Sequence, residues 1–153
     1  MKNFFILAAF LLLISTSCKK AEPAVEPDAV VETPAAPTSD CYKFATDKDT
    51  VTMTLTRTNN SASGELTYDW FEKDGNVGTY EGSFKGDTLR IGYTFQSEGM
   101  TSVREELFLL KGDEMIKGHG KIIDRDGKHV FKNRKNVIFD RSLVLSKTNC
   151  KGN

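Results

Sequence analysis

The feature of this sequence that most constrains its fold is a series of alternating runs separated by regularly spaced turn signals. Asp-Gly and Gly-Asp pairs supply the positive φ angles that tight hairpins need. The turn signals recur every twelve to fourteen residues, at Asp74-Gly75, Gly86-Asp87, Gly99, Gly112-Asp113 and Asp126-Gly127. Between them apolar and polar residues alternate, as in the run from Leu89 to Gln96. This period-two pattern predicts strands with one buried face.

The pattern predicts an all-β domain with about eight strands, at roughly 50–58, 64–72, 77–85, 88–97, 102–111, 114–123, 128–133 and 137–147. Eight sequentially paired antiparallel strands remove their exposed edges by closing. The predicted fold is therefore a single small up-and-down β-barrel.

One of these segments, 102–111, also fits a short helix, because Ser102 and Glu105 could form a capping box. Hairpin-length connections on both sides favour a strand instead. As a strand, the segment would bury three apolar residues on one face with Glu105 among them. These three residues are Val103, Leu107 and Leu109.

The first seventeen residues have the layout of a secretory signal peptide. One lysine precedes an apolar run from Phe4 to Ile14, and Ser15-Thr16-Ser17 follow. A membrane-spanning helix needs about 20 apolar residues, so this run is too short for one. Residues 1–17 are therefore interpreted as a leader that is removed.

Cys18 directly follows the small residues, and Ser15-Thr16-Ser17-Cys18 resembles the lipobox of a bacterial lipoprotein precursor. The resemblance implies that Cys18 carries a diacylglycerol and palmitate-type acyl chains, which would hold the protein on a membrane. The usual leucine of the box is replaced by Ser15. Ordinary cleavage that leaves a free thiol is the alternative. Lys19 follows the cysteine, and the absence of aspartate there favours the outer membrane, with the periplasmic or surface face left open.

Residues 18–39 are predicted to be a lipidated cysteine and a disordered tether. All four prolines of the chain lie here, at Pro23, Pro27, Pro34 and Pro37, among alanine, valine and acidic residues. A segment of this composition cannot bury enough apolar surface to offset its ordering entropy. It is interpreted as a spacer, with a docking strip for an envelope partner as the alternative.

The folded domain is assigned to residues 40–153, and its two cysteines fit the predicted closure. Cys41 is expected to precede the first strand and Cys150 to follow the last, which places both on one rim of a barrel with an even number of strands. An exported protein can form a disulfide between them. Two free buried thiols are the alternative.

Charge gives no reason to expect nucleic acid as a partner. The chain has 21 basic and 21 acidic residues, and residues 40–153 keep 18 and 17 of them. Nucleic-acid binding depends on neutralising phosphates with excess positive charge. A local basic cluster at residues 128–135 is interpreted as a solvated loop, with contact to anionic headgroups or glycans as the alternative.

The stretch from Gly78 to Phe108, GTYEGSFKGDTLRIGYTFQSEGMTSVREELF, resembles a family of small uncharacterised lipoproteins of Bacteroidetes-type bacteria. The resemblance covers most of residues 41–150. The general shape is also similar to lipocalin-like and lysozyme-inhibitor barrels, without a diagnostic motif of either. Neither resemblance implies an activity.

The sequence contains only weak candidates for metal binding or catalysis. His119 and His129 lack zinc-ligand spacing, Asp124 to Gly127 fits a hairpin turn better than a calcium loop, and no serine lies in a Gly-x-Ser-x-Gly motif. No catalytic residue, metal or cofactor is therefore predicted. His119, between two glycines, is interpreted as a site of close packing or a bulge.

Possible ligand contacts are polar and aromatic residues that the predicted strands direct toward the barrel interior or its mouth. These are Glu98, Arg104, Glu105, His119, Trp70 and Tyr93. For the carboxylates a solvated ladder of salt bridges is the simpler interpretation. The aromatic residues favour a filled interior, because an eight-stranded barrel holds only side chains or one small ligand.

The sequence thus predicts a membrane-anchored envelope lipoprotein that binds a protein or a small envelope ligand without catalysis. A structural or assembly role in the envelope is the alternative, and a hydrolytic enzyme is the least favoured class. An apolar cavity would favour a small ligand. A filled barrel with an exposed apolar patch on its rim would favour a protein partner. A buried carboxylate pair beside His119 would favour an enzyme.

Overall fold

A computed structural model describes residues 36–150 as ten strands and one short 3₁₀ turn. The strands are β1 Thr38–Ala45, β2 Thr50–Thr58, β3 Ser61–Asp69, β4 Asn76–Lys85, β5 Thr88–Ser97, β6 Met100–Lys111, β7 Glu114–Lys117, β8 Ile122–Arg125, β9 Lys128–Phe131 and β10 Val144–Thr148. The 3₁₀ turn is Arg134–Asn136. Cys18, the predicted site of lipidation, lies outside the described residues. Within them, no helix is long and apolar enough to cross a membrane.

Eight of the strands form a closed antiparallel barrel, which confirms the predicted fold class. Strands β1 to β7 pair sequentially, β7 pairs with β10, and β10 returns to pair with β1. The interpretation of residues 102–111 as a strand is also confirmed, since β6 covers them and is the longest strand of the barrel.

The predicted set of strands was wrong at both ends of the domain. The first barrel strand is β1, so Cys41 lies within a strand and not before it. Residues 128–133 do not form a barrel strand. Instead β9 pairs with β8, and it contacts the barrel through a two-residue parallel pairing with β6. The prediction omitted β1 and counted residues 128–133 as a barrel strand, so the total of eight barrel strands is still correct.

Three strand glycines allow the backbones of neighbouring barrel strands to approach closely. A side chain at Gly64, Gly78 or Gly82 would place its Cβ within 1.9–2.1 Å of a backbone oxygen on the neighbouring strand. At Gly64 the ladder between β2 and β3 opens. There the Tyr80 hydroxyl donates to the carbonyl of Thr54 at 2.7 Å and satisfies the freed acceptor.

The barrel interior is filled by large side chains. The fully buried ones include Tyr68, Tyr93, Phe108, Met53, Leu66, Leu89, Ile91, Met115 and Leu145. Trp70 is half-buried, and its ring stacks on Tyr68 with centroids 5.8 Å apart. Phe71, by contrast, lies at the surface with its side chain 48% exposed.

The two ends of the barrel differ, and we name them by their contents. The disulfide rim contains the start of β1, the turns at 59–60, 86–87 and 112–113, and Cys150, which is bonded to Cys41. The far rim contains the connections 46–49, 70–75 and 98–99. The predicted disulfide is therefore present, and the chain enters and leaves the barrel at the same end.

The segment from Gly118 to Ser142 departs from the barrel between β7 and β10 and packs against its outer wall. Leu107, Ile116 and Phe131 are buried there, outside the main core. Gly118 and Gly120 permit this packing, because Val137 and Phe131 lie where their side chains would be. The interpretation of the two glycines as a close-packing site is confirmed.

Candidate functional site

A charged cluster lies inside the barrel around Glu106, whose side chain is only 2% exposed. Arg104 contacts one carboxylate oxygen at 2.7 Å, and the ammonium of Lys117 contacts the other at 2.9 Å. The Tyr68 hydroxyl also donates to Glu106. Three donors therefore surround one buried carboxylate.

Strand alternation explains why these charges face inward. Glu106 is two residues from Phe108 on β6, and Lys117 is two residues from Met115 on β7, so each shares a face with a core residue. Arg104 lies on the same face, with its guanidinium 5.0 Å from the centroid of the Phe95 ring. The cations are thus held by both a carboxylate and aromatic rings.

Burial shifts the proton affinities within this cluster. Desolvation, and then the neighbouring carboxylate of Glu106, hold the pKa of Tyr68 well above its ordinary value. Desolvation also lowers the pKa of Lys117, although Glu106 opposes this effect. Tyr68 therefore stays a neutral donor at physiological pH.

Glu105 points to the opposite face of β6, where it binds the external hairpin formed by β8 and β9. Its carboxylate accepts a hydrogen bond from the backbone N–H of Phe131 at 3.1 Å. Arg134 contacts it at 2.6 Å, and Arg90 approaches the same oxygen at 3.9 Å. The basic cluster predicted as a solvated loop is thus partly engaged, through Arg134, in a structural ion pair.

A small lateral cavity of about 150 Å³ opens where β6 and β7 meet the external segment. Of the six ligand contacts considered from the sequence, Arg104, Glu105 and His119 line it, together with Glu106 and Lys117. The other three lie elsewhere. Glu98 is exposed in the β5–β6 turn, Trp70 lies near the far rim, and the Tyr93 hydroxyl donates to the carbonyl of Leu66 at 2.7 Å.

His119 has polar neighbours but not the arrangement of a catalytic triad. Its Nε2 lies 2.7 Å from the Ser142 hydroxyl and 4.0 Å from the Asp140 carboxylate. In a triad the acid contacts the other ring nitrogen and orients the base. Asp140 instead accepts the backbone N–H of Ser142 at 3.0 Å, and this bond and the serine hydroxyl lower its pKa.

The two buried carboxylates beside the lateral cavity do not form an acid–base pair. Glu105 and Glu106 are consecutive residues of one strand, so their side chains leave opposite faces of the sheet. Each is separately neutralised by cations. Carboxylates used for acid–base chemistry share an environment that separates their pKa values. The arrangement is suited to holding β6, β7 and the hairpin together.

Sequence reasoning missed Glu106, Lys117 and Tyr68 as partners in one cluster. Their alternation with Phe108, Met115 and Leu66 was the available signal, because it places all three on the core side. The sequence interpretation instead placed the carboxylates in a solvated ladder of salt bridges. In residues 36–150, no three His, Cys, Asp or Glu side chains converge as metal ligands would.

The far rim carries exposed apolar side chains. Phe71, Val77 and Met100 are 48%, 61% and 65% exposed. Val77 on β4 pairs in register with Gln96, and Met100 on β6 pairs with the adjacent Ser97, so Val77 and Met100 lie at the same end of the two strands that flank β5. We call these three residues the apolar rim patch.

Comparison with known proteins identified no relative of this chain. No protein-family model matches the chain, and neither a curated protein nor a solved structure does. The resemblance to small lipoproteins, based on residues 78–108, therefore stays a prediction.

Proposed function

We propose that this protein is a lipid-anchored binding module of the cell envelope that engages a protein partner through the apolar rim patch. Cys18 carries the lipid, and the barrel performs recognition without catalysis. The predicted segment 18–39 serves as the tether up to Thr38, where β1 already begins. The outer membrane is the proposed location. The observation that carries the proposal is the exposure of Phe71, Val77 and Met100 together on the far rim.

The position of the chain ends supports this assignment of surfaces. An anchor attached ahead of Thr38 joins the barrel at the disulfide rim, where β1 begins and Cys150 is bonded. The far rim is the opposite end of the barrel. A partner docking there would not compete with the point at which the tether enters.

The filled interior favours a protein partner over a small ligand inside the barrel. Binding pockets for small molecules are usually apolar cavities of about 300–1,000 Å³. Here Tyr68, Tyr93 and Phe108 occupy the centre, and the charged groups around Glu106 neutralise one another. Exposed apolar groups on a rim, by contrast, are typical of protein-interaction surfaces.

Polar groups around the apolar rim patch would border such an interface. The ammonium of Lys48 lies 4.4 Å from the centroid of the Phe71 ring, and the Asp49 carboxylate accepts the backbone N–H of Phe71 at 2.9 Å. Phe71 is therefore held in place before any partner binds. Pre-organised aromatic side chains at the centre of a polar border often dominate binding energy.

Site-specific photo-crosslinking in the native host tests this proposal. A photoreactive amino acid at Met100 is expected to give one discrete crosslinked protein, whereas the same group at Asn60 on the disulfide rim is expected to give none. The double substitution Phe71→Ser with Val77→Ser should abolish the Met100 crosslink while the protein stays folded and membrane-bound. Equal crosslinking from both rims, or a crosslink that survives the double substitution, would contradict the proposed interface.

A further inference from the structure

Gly92 is the one glycine within the barrel strands for which packing gives no reason. The Cβ atoms of Gly64, Gly78 and Gly82 would collide with backbone, but at Gly92 the nearest heavy atom would be the Glu81 carbonyl oxygen at 3.9 Å. Its φ is not positive either. Glycine weakens a strand interior, and it often marks a place where a ligand approaches the backbone closely.

The register places Gly92 between two carboxylate-bearing residues. On β4 its partner is Glu81, and on β6 its partner is Glu105. All three positions face outward, so the missing side chain leaves a gap in the outer wall of the barrel. A groove of about 200 Å³ lies there, and the β9 strand of the external hairpin forms one of its sides. We call it the Gly92 notch.

The lining of the notch combines donors and acceptors of both charge signs. Glu81 and Ser83 lie on one side, on β4. Arg90 lies on β5, which forms the floor, and Lys128 lies on the opposite side, on β9. Among the described residues, no ion pair or side-chain hydrogen bond engages Glu81 or Lys128. Val103, Val130 and Ile91 supply the apolar part of the lining.

This composition favours a neutral ligand with several hydroxyl groups. The carboxylate of Glu105 is already held by Arg134 and the Phe131 N–H, and Arg90 Nε lies 3.9 Å from it, which leaves Glu81 to accept and Lys128 and the other N–H groups of Arg90 to donate. A hydroxyl group both donates and accepts, so neighbouring hydroxyls can bridge acceptors and donors on opposite sides of a groove. The C–H face of a sugar ring suits a floor of glycine backbone and valine side chains.

We propose that the Gly92 notch is a binding site for a single sugar unit, separate from the apolar rim patch. The Glu81 carboxylate accepts from the sugar hydroxyls, and Arg90 and Lys128 donate to them. The ring lies over Gly92, where any side chain would occupy its place. The site is on the outer wall of the barrel, so it does not require the interior to open.

The test is an NMR titration of the lipidated chain in micelles of a detergent without a sugar headgroup. The probes are glucose, galactose and N-acetylglucosamine, with ethylammonium and acetate as charged alternatives. At least one sugar is expected to shift the backbone amides of Gly82, Gly92 and Val103. Absence of sugar-induced shifts, or shifts caused by ethylammonium or acetate and not by sugars, would overturn the proposal.

Three variants locate the binding. Gly92→Val fills the notch and should weaken sugar binding at least about tenfold, which is a readily measured change in affinity. The matched control is Thr88→Val, on the same strand and face but outside the groove, and it should bind as wild type does. The double variant Glu81→Gln with Lys128→Met keeps the shape, so its loss of binding tests the chemistry even if Gly92→Val unfolds. Unchanged affinity in this double variant would contradict the site.

Discussion

The ammonium of Lys117 lies 2.9 Å from the carboxylate of Glu106 inside the barrel, and this pair joins β7 to β6. The pairing matters because β7 is only four residues long and carries the chain out of the barrel wall. A charged pair in a core is stable only when each charge has partners. Glu106 has three, which are Lys117, Arg104 and Tyr68.

Removing the charge of Glu106 should destabilise the barrel strongly. Glu106→Gln leaves two cations without their counter-ion in a poorly solvated place, and we expect a loss of about 3 kcal/mol in the free energy of unfolding. Urea denaturation measures it. The control is Glu114→Gln, which breaks an exposed ion pair with Arg141 and should change stability little. Equal effects of the two substitutions would show that the interior pair has no special role.

The disulfide should contribute substantially to stability. Cys41 and Cys150 are 109 residues apart in sequence, and cross-linking a loop of this length stabilises by about 4–5 kcal/mol in the chain-entropy model. Urea denaturation with and without a reducing agent measures the difference. The Cys41→Ala, Cys150→Ala double variant should match the reduced protein. No shift of the unfolding midpoint would contradict this expectation.

Alkaline conditions should unfold the protein as its tyrosines ionise. The chain has four tyrosines, and burial raises the pKa of every one of them, Tyr42, Tyr68, Tyr80 and Tyr93. In the unfolded chain they lose protons near pH 10, so above about pH 10 the unfolded state binds fewer protons and stability falls. Absorbance at the phenolate band and circular dichroism should therefore change together. Tyrosine ionisation well before any loss of strand signal would be the contrary result.

Ionisation of Lys117 changes the free energy of unfolding in the opposite direction, over a lower range of pH. Because burial lowers its pKa, the unfolded state binds more protons between the lowered value and the ordinary value of about 10.4, and stability rises with pH there. Lys117→Met removes this rise but keeps the fall above about pH 10. The measurement is the free energy of unfolding against pH for the two proteins. An unchanged slope in the variant would contradict the assignment.

The strand glycines should differ sharply in their tolerance of a methyl group. Gly78→Ala places a Cβ 2.0 Å from the Thr94 carbonyl oxygen, so the strands must separate, at a cost of about 3 kcal/mol. Gly92→Ala meets open space, and it should leave stability unchanged or raise it. Thermal unfolding of both variants checks the contrast. Similar losses at the two positions would remove the steric argument for the notch.

The barrel could be predicted from the sequence because its signals are local. Alternation along residues 88–97 and turn residues such as Gly86 determine strands and hairpins without reference to distant residues. The missed strand β1 carries the same signal, since Tyr42 and Phe44 alternate with Cys41 and Lys43. No glycine or proline turn separates it from the next strand, and the connection at residues 46–49 is held instead by the Thr46 hydroxyl, which accepts the backbone N–H of Asp49.

The hairpin β8–β9 and the charged interior could not be predicted in the same way. Whether residues 128–133 continue the barrel or fold against its outside depends on the packing of Phe131 on Gly120 and of Val137 on Gly118, which the local sequence pattern does not determine. The inward position of Glu106 follows from alternation. Of its three partners, Arg104 lies two residues away on the same strand, but Lys117 on β7 and Tyr68 on β3 reach Glu106 only through the closed barrel.

The mass of the intact mature protein tests both the proposed lipid at Cys18 and the disulfide that closes the barrel. The protein should be purified from the membrane fraction of its own host and measured without reduction. We expect a chain that begins at Cys18, carries the added mass of a diacylglycerol and an amide-linked acyl chain, and lacks two hydrogens for the Cys41–Cys150 bond. A mature chain with an unmodified Cys18, or one that begins at another residue, would contradict it.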